Sequence, residues 1–329
     1  MRSLTPSSFR APVTGSAQRV FIGDRLATRY TLVSPLGRGA ASRVFLAKDE
    51  RTNAEVAIKV IPPWGTSPLA TRERFDAELA VGCGVVHANV ARILDTGTSA
   101  FGEPFLVTEA LTGETVGDLL RDQGRLPAER AVELARDAAR GLAAIHRAGF
   151  VHRDVKPDNL FACDELRHGV AVKVIDFGFC TRVTPDLEEG RNVLGTLEYI
   201  APEQAVAEAV DGRADVYSLG VVLFRAITGE LPFDHCAHES ILTHHLASPL
   251  PPPSWLVDDL DPRIDPIVLS ATRKHPENRY PDMAALLADL DRFLSGGGVL
   301  GAPLRRDPDA YVPTTEKGRL AFDTLTDEL

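Results

Sequence analysis

The spacing of hydrophobic residues changes character near residue 111. Before that point, short runs rich in β-branched and aromatic residues predict strands, as at 43–47 and 55–60. One helix interrupts them: Ser67 suits the N-cap, Pro68 suits the first helical position, and the segment runs to about Val81. A further strand is predicted at 172–175.

Helical spacing dominates after residue 111. Pro127 opens a helix whose apolar residues share one face, namely Leu134, Ala138, Leu142 and Ile145. A second helix is predicted from about residue 214 to 228, with Gly229 as its C-cap. A third follows Pro281, and three leucines form its apolar stripe, namely Leu286, Leu290 and Leu294.

These elements indicate an α+β chain with two lobes and two tails. Residues 1–28 are polar and unpatterned, which predicts a disordered arm. Residues 29–294 form the folded region, with a small β lobe at 29–111 and a larger, mainly helical lobe at 112–294. The glycine run after Ser295 ends the last helix, so we expect a flexible charged tail over 295–329.

Composition excludes several classes of protein. The chain has 329 residues, 36 Lys plus Arg against 46 Asp plus Glu, and a net charge of −10, which argues against nucleic-acid and anionic-membrane partners. Four cysteines form no CxxC pair and predict reduced thiols. No stretch approaches the roughly 18 apolar residues of a membrane helix. The first residues lack a signal-peptide core, although a transit peptide shares their composition. We expect a cytoplasmic protein without a membrane anchor.

Two features of the β lobe suggest phosphate chemistry. Gly37 and Gly39 lie in a predicted hairpin, where the absence of a Cβ lets the backbone approach a polyphosphate; an ordinary turn is the alternative. Lys59 lies on a strand with apolar neighbours, so its ammonium needs an anion unless it simply extends into water at an edge. Glu78, on the following helix, is a suitable partner.

Two loops of the helical lobe add acid and amide groups. The segment 152–159 places Asp154, Lys156 and Asn159 within six residues of a proline-stiffened loop. There a carboxylate can accept a hydroxyl proton, an ammonium can neutralise a phosphoryl group, and an amide oxygen can bind a hard cation. Asp176 follows the strand at 172–175 and precedes Gly178 by two residues, which suits a metal ligand at a hinge or an ordinary hairpin turn.

A fifth segment, 195–203, ends in Ala201-Pro202-Glu203, and an acid-containing stretch at 211–220 and Arg279 follow it. We expect Glu203 and Arg279 to form a buried ion pair. Together, in this order and at these separations, the five features resemble the eukaryotic-type (Hanks-type) protein kinases over about residues 30–294. The lysine of 152–159 and the Gly195-Thr196 pair are similar to the serine/threonine branch, and 201–204 is similar to bacterial members.

The resemblance implies a bilobal kinase fold: an antiparallel β lobe with one key helix, then a mainly helical lobe. It implies transfer of the γ-phosphate of ATP to serine or threonine of protein substrates, including autophosphorylation. By this resemblance Asp154 is the catalytic base, Lys156 stabilises the transferring phosphoryl group, and Asn159 with Asp176 holds Mg²⁺, with Mn²⁺ as an alternative. The implied ATP-binding residues are Leu36, Gly37, Gly39, Val44, Ala57, Lys59, Glu78, Glu109, Leu111 and Phe161.

The chain also departs from the family pattern. Ser42 stands where a third loop glycine is usual. Gly82, one turn beyond Glu78, replaces a larger apolar residue, which suggests that the Lys59–Glu78 pair depends on a partner or a homodimer contact. The stretch 186–192 contains no hydroxyl residue, so we expect Glu188 or Glu189 to replace a phosphate as the partner of Arg153; a solvated acidic loop is the alternative.

Other groups have weaker functional interpretations. Five His and Cys side chains, namely His235, Cys236, His238, His244 and His245, suggest zinc, but their spacing matches no common zinc motif. Cys180 is expected to be a packing residue. Candidate phosphorylation sites are Thr181, Thr184, Thr314 and Thr315. The alternatives to an active kinase are a pseudokinase that acts as a nucleotide-binding scaffold and a small-molecule phosphotransferase.

Overall fold

A computed structural model of the chain describes residues 20–38, 42–61, 68–164, 168–182, 196–233 and 241–301. The chain divides into two compact units. The first contains Met1–Cys83 and Arg92–Leu111, and the second contains Gly84–Ala91 and Thr112–Leu329. The division between Leu111 and Thr112 lies where the hydrophobic pattern changes.

An antiparallel sheet of six strands forms most of the first unit. Its strands are β1 (Arg25–Leu26), β2 (Tyr30–Arg38), β3 (Arg43–Asp49), β4 (Glu55–Val60), β5 (Ile93–Thr98) and β6 (Pro104–Glu109), in the order β1-β2-β3-β4-β6-β5. Helix α1 (Pro68–Gly84) lies between β4 and β5 in the chain. Along β4 the side chains alternate, so that Val56, Ile58 and Val60 enter the core while Lys59 points to the other face.

The folded part of the first unit begins earlier than the sequence suggested. Val20 is fully buried and Leu26 is 3% exposed, and both belong to the sheet's hydrophobic core. The N–H of Val20 donates to the buried carboxylate of Glu103 at 3.3 Å. The sequence predicts a disordered arm over residues 1–28. Residues 20–28 do not belong to such an arm, because they are part of the folded unit. Isolated apolar residues without periodicity carry no local signal, and only contacts with distant residues order them.

The second unit is mainly helical. Its helices are α2 (Val116–Gln123), α3 (Ala128–Arg147), α4 (Pro202–Ala205), α5 (Gly212–Thr228), α6 (Ile241–Ala247), α7 (Ile264–Ala271) and α8 (Met283–Leu294). Its strands are β7 (Gly113–Thr115), β8 (Phe150–Val151), β9 (Leu160–Cys163), β10 (Val172–Val174) and β11 (Thr181–Arg182). They form a three-stranded sheet, β10-β9-β7, and the pair β11-β8.

Helices α3 and α5 lie at the centre of this unit, and α3 contacts α5, α8 and β10. The predicted apolar face of α3 is buried along its whole length, from Leu134 to Ile145. Helix α5 ends at Gly229, whose left-handed conformation (φ 83°) explains the need for glycine there. The buried face of α8 differs slightly from the predicted stripe of three leucines, because Phe293 is buried and Leu294 is only half-buried.

The chain stays anchored after α8. The carboxylate of Asp289 accepts hydrogen bonds from the N–H groups of Leu300 and Gly301, at 3.1 and 2.8 Å. Residues 295–301 are thus tied to α8, and the expected flexible tail does not begin at residue 295. Thr314 and Thr315 lie outside the described residues. Among the helices that the structure describes, none is long and apolar enough to cross a membrane.

Candidate active site

In the first unit, a buried acid neutralises the lysine of β4. Lys59 lies opposite Val44 of β3 and Leu106 of β6. Its ammonium donates to the carboxylate of Glu78, which lies on α1 and is 3% exposed. The ion pair that the sequence suggested is therefore formed, and it is formed within one chain.

Gly82 brings α1 close to the sheet. A Cβ at this position would lie 2.3 Å from Cδ1 and 2.7 Å from Cβ of Ile93 on β5. Because the clash includes the Cβ of Ile93, a change of rotamer cannot relieve it. Gly82 is thus in close contact with β5 and does not leave a gap beneath α1, so the geometry of the Lys59–Glu78 pair does not require a partner. A homodimer contact stays a prediction.

Most other candidate nucleotide-binding positions lie on this same sheet. Gly37 pairs with Val44, and Ala57 pairs with Thr108. Glu109 ends β6 and exchanges hydrogen bonds with the backbone of Arg92. The remaining positions are Leu36, which is 55% exposed, Leu111 at the end of the unit, and Phe161 on β9 of the second unit. Gly39 lies outside the described residues.

In the second unit, the carboxylate of Asp154 is surrounded by donors. One oxygen accepts hydrogen bonds from both the N–H and the hydroxyl of Thr196, at 3.0 and 2.9 Å. The other accepts from the amide of Asn159 at 2.9 Å and lies 2.8 Å from the ammonium of Lys156. Lys156 also donates to the Thr196 hydroxyl at 2.6 Å. The structure thus brings the three predicted loop residues together and adds Thr196 to them.

The backbone links Asn159 to Asp176. The N–H of Ile175 donates to the carbonyl of Asn159 at 2.9 Å, which fixes the two segments next to one another. Asp176 has a left-handed backbone (φ 61°) and its carboxylate accepts from the N–H of Gly178 at 3.3 Å. The Asn159 amide nitrogen is occupied by Asp154, which leaves the amide oxygen for a cation. Oxygen donors of this kind fit a hard divalent cation.

Asp215, a residue to which we had assigned no role, supports the Asp154 loop. This acid lies on α5, is fully buried, and accepts from the N–H groups of His152 and Arg153 at 2.8 and 2.9 Å. Its carboxylate also bonds the ring of His146 at 2.7 Å. Burial by itself would raise the pKa of Asp215, but the hydrogen bonds and charges of His146 and His152 hold that pKa below its usual value. The sequence did contain a signal for this role, because Asp215 is an acid within a mostly apolar helix.

The same contacts hold a strained backbone in place. Arg153 has a positive φ of 67°, a conformation that costs free energy for a residue with a side chain. Asp215 holds its N–H, and the side-chain amide of Gln204 donates to its carbonyl at 3.0 Å. The residue preceding Asp154 is therefore fixed from both sides, which sets the direction of the carboxylate.

The predicted pair between Glu203 and Arg279 is confirmed. Two parallel hydrogen bonds of 2.7 and 2.8 Å join the guanidinium to the carboxylate, and both side chains are almost completely buried. The guanidinium also donates to three backbone carbonyls, those of Arg213, Arg273 and Lys274. The pair ties α4 to the segment that precedes α8.

Several expectations cannot be compared with the structure, because Thr184, Glu188, Glu189 and Gly195 lie outside the described residues. The same holds for three members of the His and Cys cluster, His235, Cys236 and His238. The other two are described: His244 bonds Ser248 and His245 bonds Tyr217. Within the described ranges, no group of three or more His, Cys, Asp or Glu side chains is arranged to hold a metal. Cys180 is buried.

Two features together define the class of this protein. The first unit is a six-stranded sheet with a Lys–Glu pair, and the second is a helical unit whose Asp, Lys and Asn share one loop. This combination is that of the protein kinases. The family described as protein kinase domain matches residues 30–280, and the chain belongs to that family. This agrees with the resemblance seen in the sequence and with the predicted fold.

Curated relatives are bacterial serine/threonine-protein kinases. The chain is 37% identical to serine/threonine-protein kinase PknB of Mycobacterium leprae over 276 residues, 82% of this chain and 44% of the relative. It is 30% identical to a probable serine/threonine-protein kinase of Clostridium perfringens over 305 residues, 90% of this chain and 44% of the relative. The chain therefore spans less than half the length of these proteins.

Proposed function

We propose that this chain is an active serine/threonine protein kinase that uses ATP and a divalent cation to phosphorylate protein substrates. The observation that carries the proposal is the environment of Asp154. A single carboxylate is held by Thr196, Asn159 and Lys156, on a loop whose backbone is fixed by Asp215. Such preorganisation is what general-base catalysis and phosphoryl transfer require.

In this proposal each loop residue has a separate role. Asp154 orients the substrate hydroxyl and accepts its proton as the bond from the substrate oxygen to the γ-phosphorus forms and the bond from that phosphorus to ADP breaks. Lys156, 2.8 Å from that carboxylate, neutralises negative charge on the phosphoryl group in transit. Thr196 holds the carboxylate through two hydrogen bonds, so that the base is positioned before the substrate arrives.

We assign the nucleotide and the cation to the remaining candidates. Lys59, oriented by Glu78, binds the α- and β-phosphates of ATP. Asn159 and Asp176 offer oxygen donors, which Mg²⁺ prefers, and Mn²⁺ accepts similar ligands. When bound, the cation would neutralise charge on the phosphates. The glycine-containing hairpin around Gly37 and the strand positions Val44 and Ala57 contact the nucleotide. A cytoplasmic location stays a prediction.

Transfer of labelled γ-phosphate from ATP tests the proposal. Wild type, Asp154→Asn and Asp122→Asn would be compared on a generic basic protein with Mg²⁺ and then with Mn²⁺, and phosphosites mapped by mass spectrometry. Asp122 is an exposed acid on α2 and serves as the matched control. We expect transfer to serine or threonine by wild type and the control, and its loss in Asp154→Asn.

The rival functions give different results in the same assay. Binding of Mg-ATP without transfer to any protein would contradict the proposal and favour the scaffold. Transfer that occurs only to a small molecule would favour a small-molecule phosphotransferase. Autophosphorylation that survives Asp154→Asn would contradict the role of Asp154 as base.

A further inference from the structure

Helix α5 supports the candidate active site with a line of polar side chains. Asp215, Ser218 and Arg225 fall on one face of the helix at intervals of three and seven residues. Asp215 holds the backbone of His152 and Arg153, and the Ser218 hydroxyl donates to the carbonyl of Tyr199 at 2.7 Å. Both are almost fully buried and their roles are structural. Arg225 differs from them, because it is charged and only half-buried.

The partner of Arg225 is a neutral group. Its guanidinium donates to the phenol oxygen of Tyr199. Burial raises the pKa of this phenol to about 12, although Arg225 itself acts in the opposite direction. The phenol is therefore uncharged at neutral pH and does not neutralise the arginine. Within the part of the chain that the structure describes, no carboxylate lies within ion-pair distance of Arg225.

Two acids lie near the contact between Arg225 and Tyr199. The charges of Asp158 and Glu198 both act on the Tyr199 phenol, so both lie in its neighbourhood. Asp158 forms an ion pair with Arg121 at 3.2 Å. Glu198 lines a small cavity of about 70 Å³ together with Phe233 and His245. Neither acid pairs with Arg225, so no carboxylate of the described residues neutralises its charge.

The position of Arg225 connects it to the reacting group. Tyr199 belongs to the single helical turn Leu197–Tyr199, and its N–H donates to the carbonyl of Thr196 at 3.0 Å. Thr196 in turn holds the carboxylate of Asp154. Substrate residues next to a hydroxyl at Asp154, spaced by about 3.5 Å each, are therefore within reach of this turn.

We propose that Arg225 is a specificity-determining residue that binds an anionic side chain of the protein substrate, a carboxylate or a phosphate, within a few residues of the phosphorylated serine or threonine. The inference rests on the proposed kinase function and names the class of substrate that the site prefers. An arginine fork binds either anion through charge-assisted hydrogen bonds. An attractive contact of this kind favours acidic sequences and disfavours basic ones.

The test uses nine-residue peptides with one central serine, in which each other position carries Glu, Gln or phosphoserine in turn. The readout is the ratio of kcat/KM for the Glu peptide to that for the matching Gln peptide. For wild type we expect a ratio of about ten at one or two positions, as one charge-assisted hydrogen bond provides. In Arg225→Gln we expect a ratio near one. The control Arg130→Gln, on α3, should keep the wild-type ratio.

The nature of the anion follows from the phosphoserine peptides. A phosphoserine peptide preferred several-fold over its Glu counterpart identifies phosphate as the ligand, and equal rates identify a carboxylate. An unchanged ratio in Arg225→Gln, or no position at which wild type prefers Glu, would overturn the inference. If Arg225→Gln does not fold, Arg225→Lys is tested instead. Lysine keeps the positive charge but lacks the planar guanidinium, so we expect a reduced ratio of kcat/KM for the Glu and Gln peptides. An unchanged ratio in Arg225→Lys would contradict the inference.

A binding measurement separates this inference from the proposed function. Fluorescence anisotropy with labelled Glu and Gln peptides requires no phosphate transfer and can use the Asp154→Asn protein. Tighter binding of the Glu peptide that disappears when Arg225→Gln is added supports the anion site, even if no transfer is ever observed. Transfer by wild type without any preference for Glu overturns the anion site alone and leaves the kinase proposal in place.

Discussion

Thr196 donates two hydrogen bonds to one oxygen of Asp154, from its backbone N–H at 3.0 Å and from its hydroxyl at 2.9 Å. The same hydroxyl accepts from the ammonium of Lys156 at 2.6 Å. Although Thr196 lies 42 residues after Asp154 in the chain, it bridges the acid and the ammonium of the proposed catalytic loop. This contact makes the position of Asp154 depend on the 196–203 segment.

Removing this hydroxyl tests its role in positioning. Thr196→Ala keeps the N–H bond but loses the links to Asp154 and Lys156, so we expect kcat to fall by about 10- to 100-fold, as for a lost hydrogen bond to a charged group. KM for ATP should change little. Thr196→Ser retains the hydroxyl and should recover most of the activity. Steady-state kinetics on one peptide checks this; a kcat within twofold of wild type in Thr196→Ala would refute it.

The close contact between Gly82 and Ile93 predicts that α1 tolerates no side chain there. Gly82→Ala places a Cβ within 2.7 Å of two Ile93 atoms besides Cδ1, so the helix that carries Glu78 must shift. We expect the free energy of unfolding to fall by about 1–3 kcal/mol, as for other overpacked sites. The midpoint temperature of thermal unfolding and the rate of phosphate transfer should both decrease.

Gly84 provides the matched control for this change. It ends the same helix, and a Cβ there would lie 3.5 Å from the Phe150 ring, which is an ordinary contact. Gly84→Ala should therefore be neutral or slightly stabilising. Adding Ile93→Ala to Gly82→Ala removes the clashes with Cγ1 and Cδ1 but leaves the one with Cβ, so it should restore activity only in part. Equal effects of the two glycine substitutions would show that the contact with Ile93 is not the cause.

The Glu203–Arg279 pair predicts a large loss of stability when its geometry is broken. Arg279→Lys keeps the charge, but an ammonium cannot form two parallel bonds to Glu203 and also donate to three carbonyls. We expect a loss of about 3–5 kcal/mol in the free energy of unfolding, typical of a damaged buried pair. Denaturant titration measures it. Arg213 provides the control, because its partner Asp211 is 45% exposed. Arg213→Lys should lower the free energy of unfolding by less than about 1 kcal/mol. A similar loss in both variants would contradict this interpretation.

His245 predicts a dependence of stability on pH. Burial, assisted by the charge of Lys274, lowers the pKa of this fully buried histidine to about 3. In the unfolded chain a histidine takes up its proton near pH 6.5. Between these two values the unfolded state binds a proton that the folded state does not, so stability is full above pH 6.5 and decreases as the pH falls below it.

Comparison with His245→Asn isolates this contribution. An asparagine side chain can still form a hydrogen bond with the Tyr217 phenol, which lies 2.8 Å from the histidine ring nitrogen, but it does not titrate. Between pH 7.5 and pH 5.0 wild type should lose about 2 kcal/mol more of its unfolding free energy than the variant. His87 and the other histidines are present in both proteins and cancel. Parallel pH profiles would show that His245 is protonated in the folded state.

Much of the architecture could be predicted from residues close together in the chain. The strand at 55–60, the buried face of α3 and the glycine that ends α5 follow from periodicity and from the conformational freedom of glycine. The motif residues Asp154, Lys156 and Asn159 lie within one loop, so their proximity was also visible. The Glu203–Arg279 pair was also expected from the sequence, although local spacing does not bring together residues that are 76 apart.

Contacts between distant residues were decided by the tertiary structure alone. Asp215 holds the amides of His152 and Arg153 from 63 and 62 residues away, and Gly82 matters because of Ile93 on another element. Val20 and Leu26 are ordered by a core to which their own segment contributes little. Local spacing determines which face of a helix or strand is apolar. Which buried polar group meets which partner depends on how those faces pack, because hydrogen bonds and close contacts form only over a few ångströms.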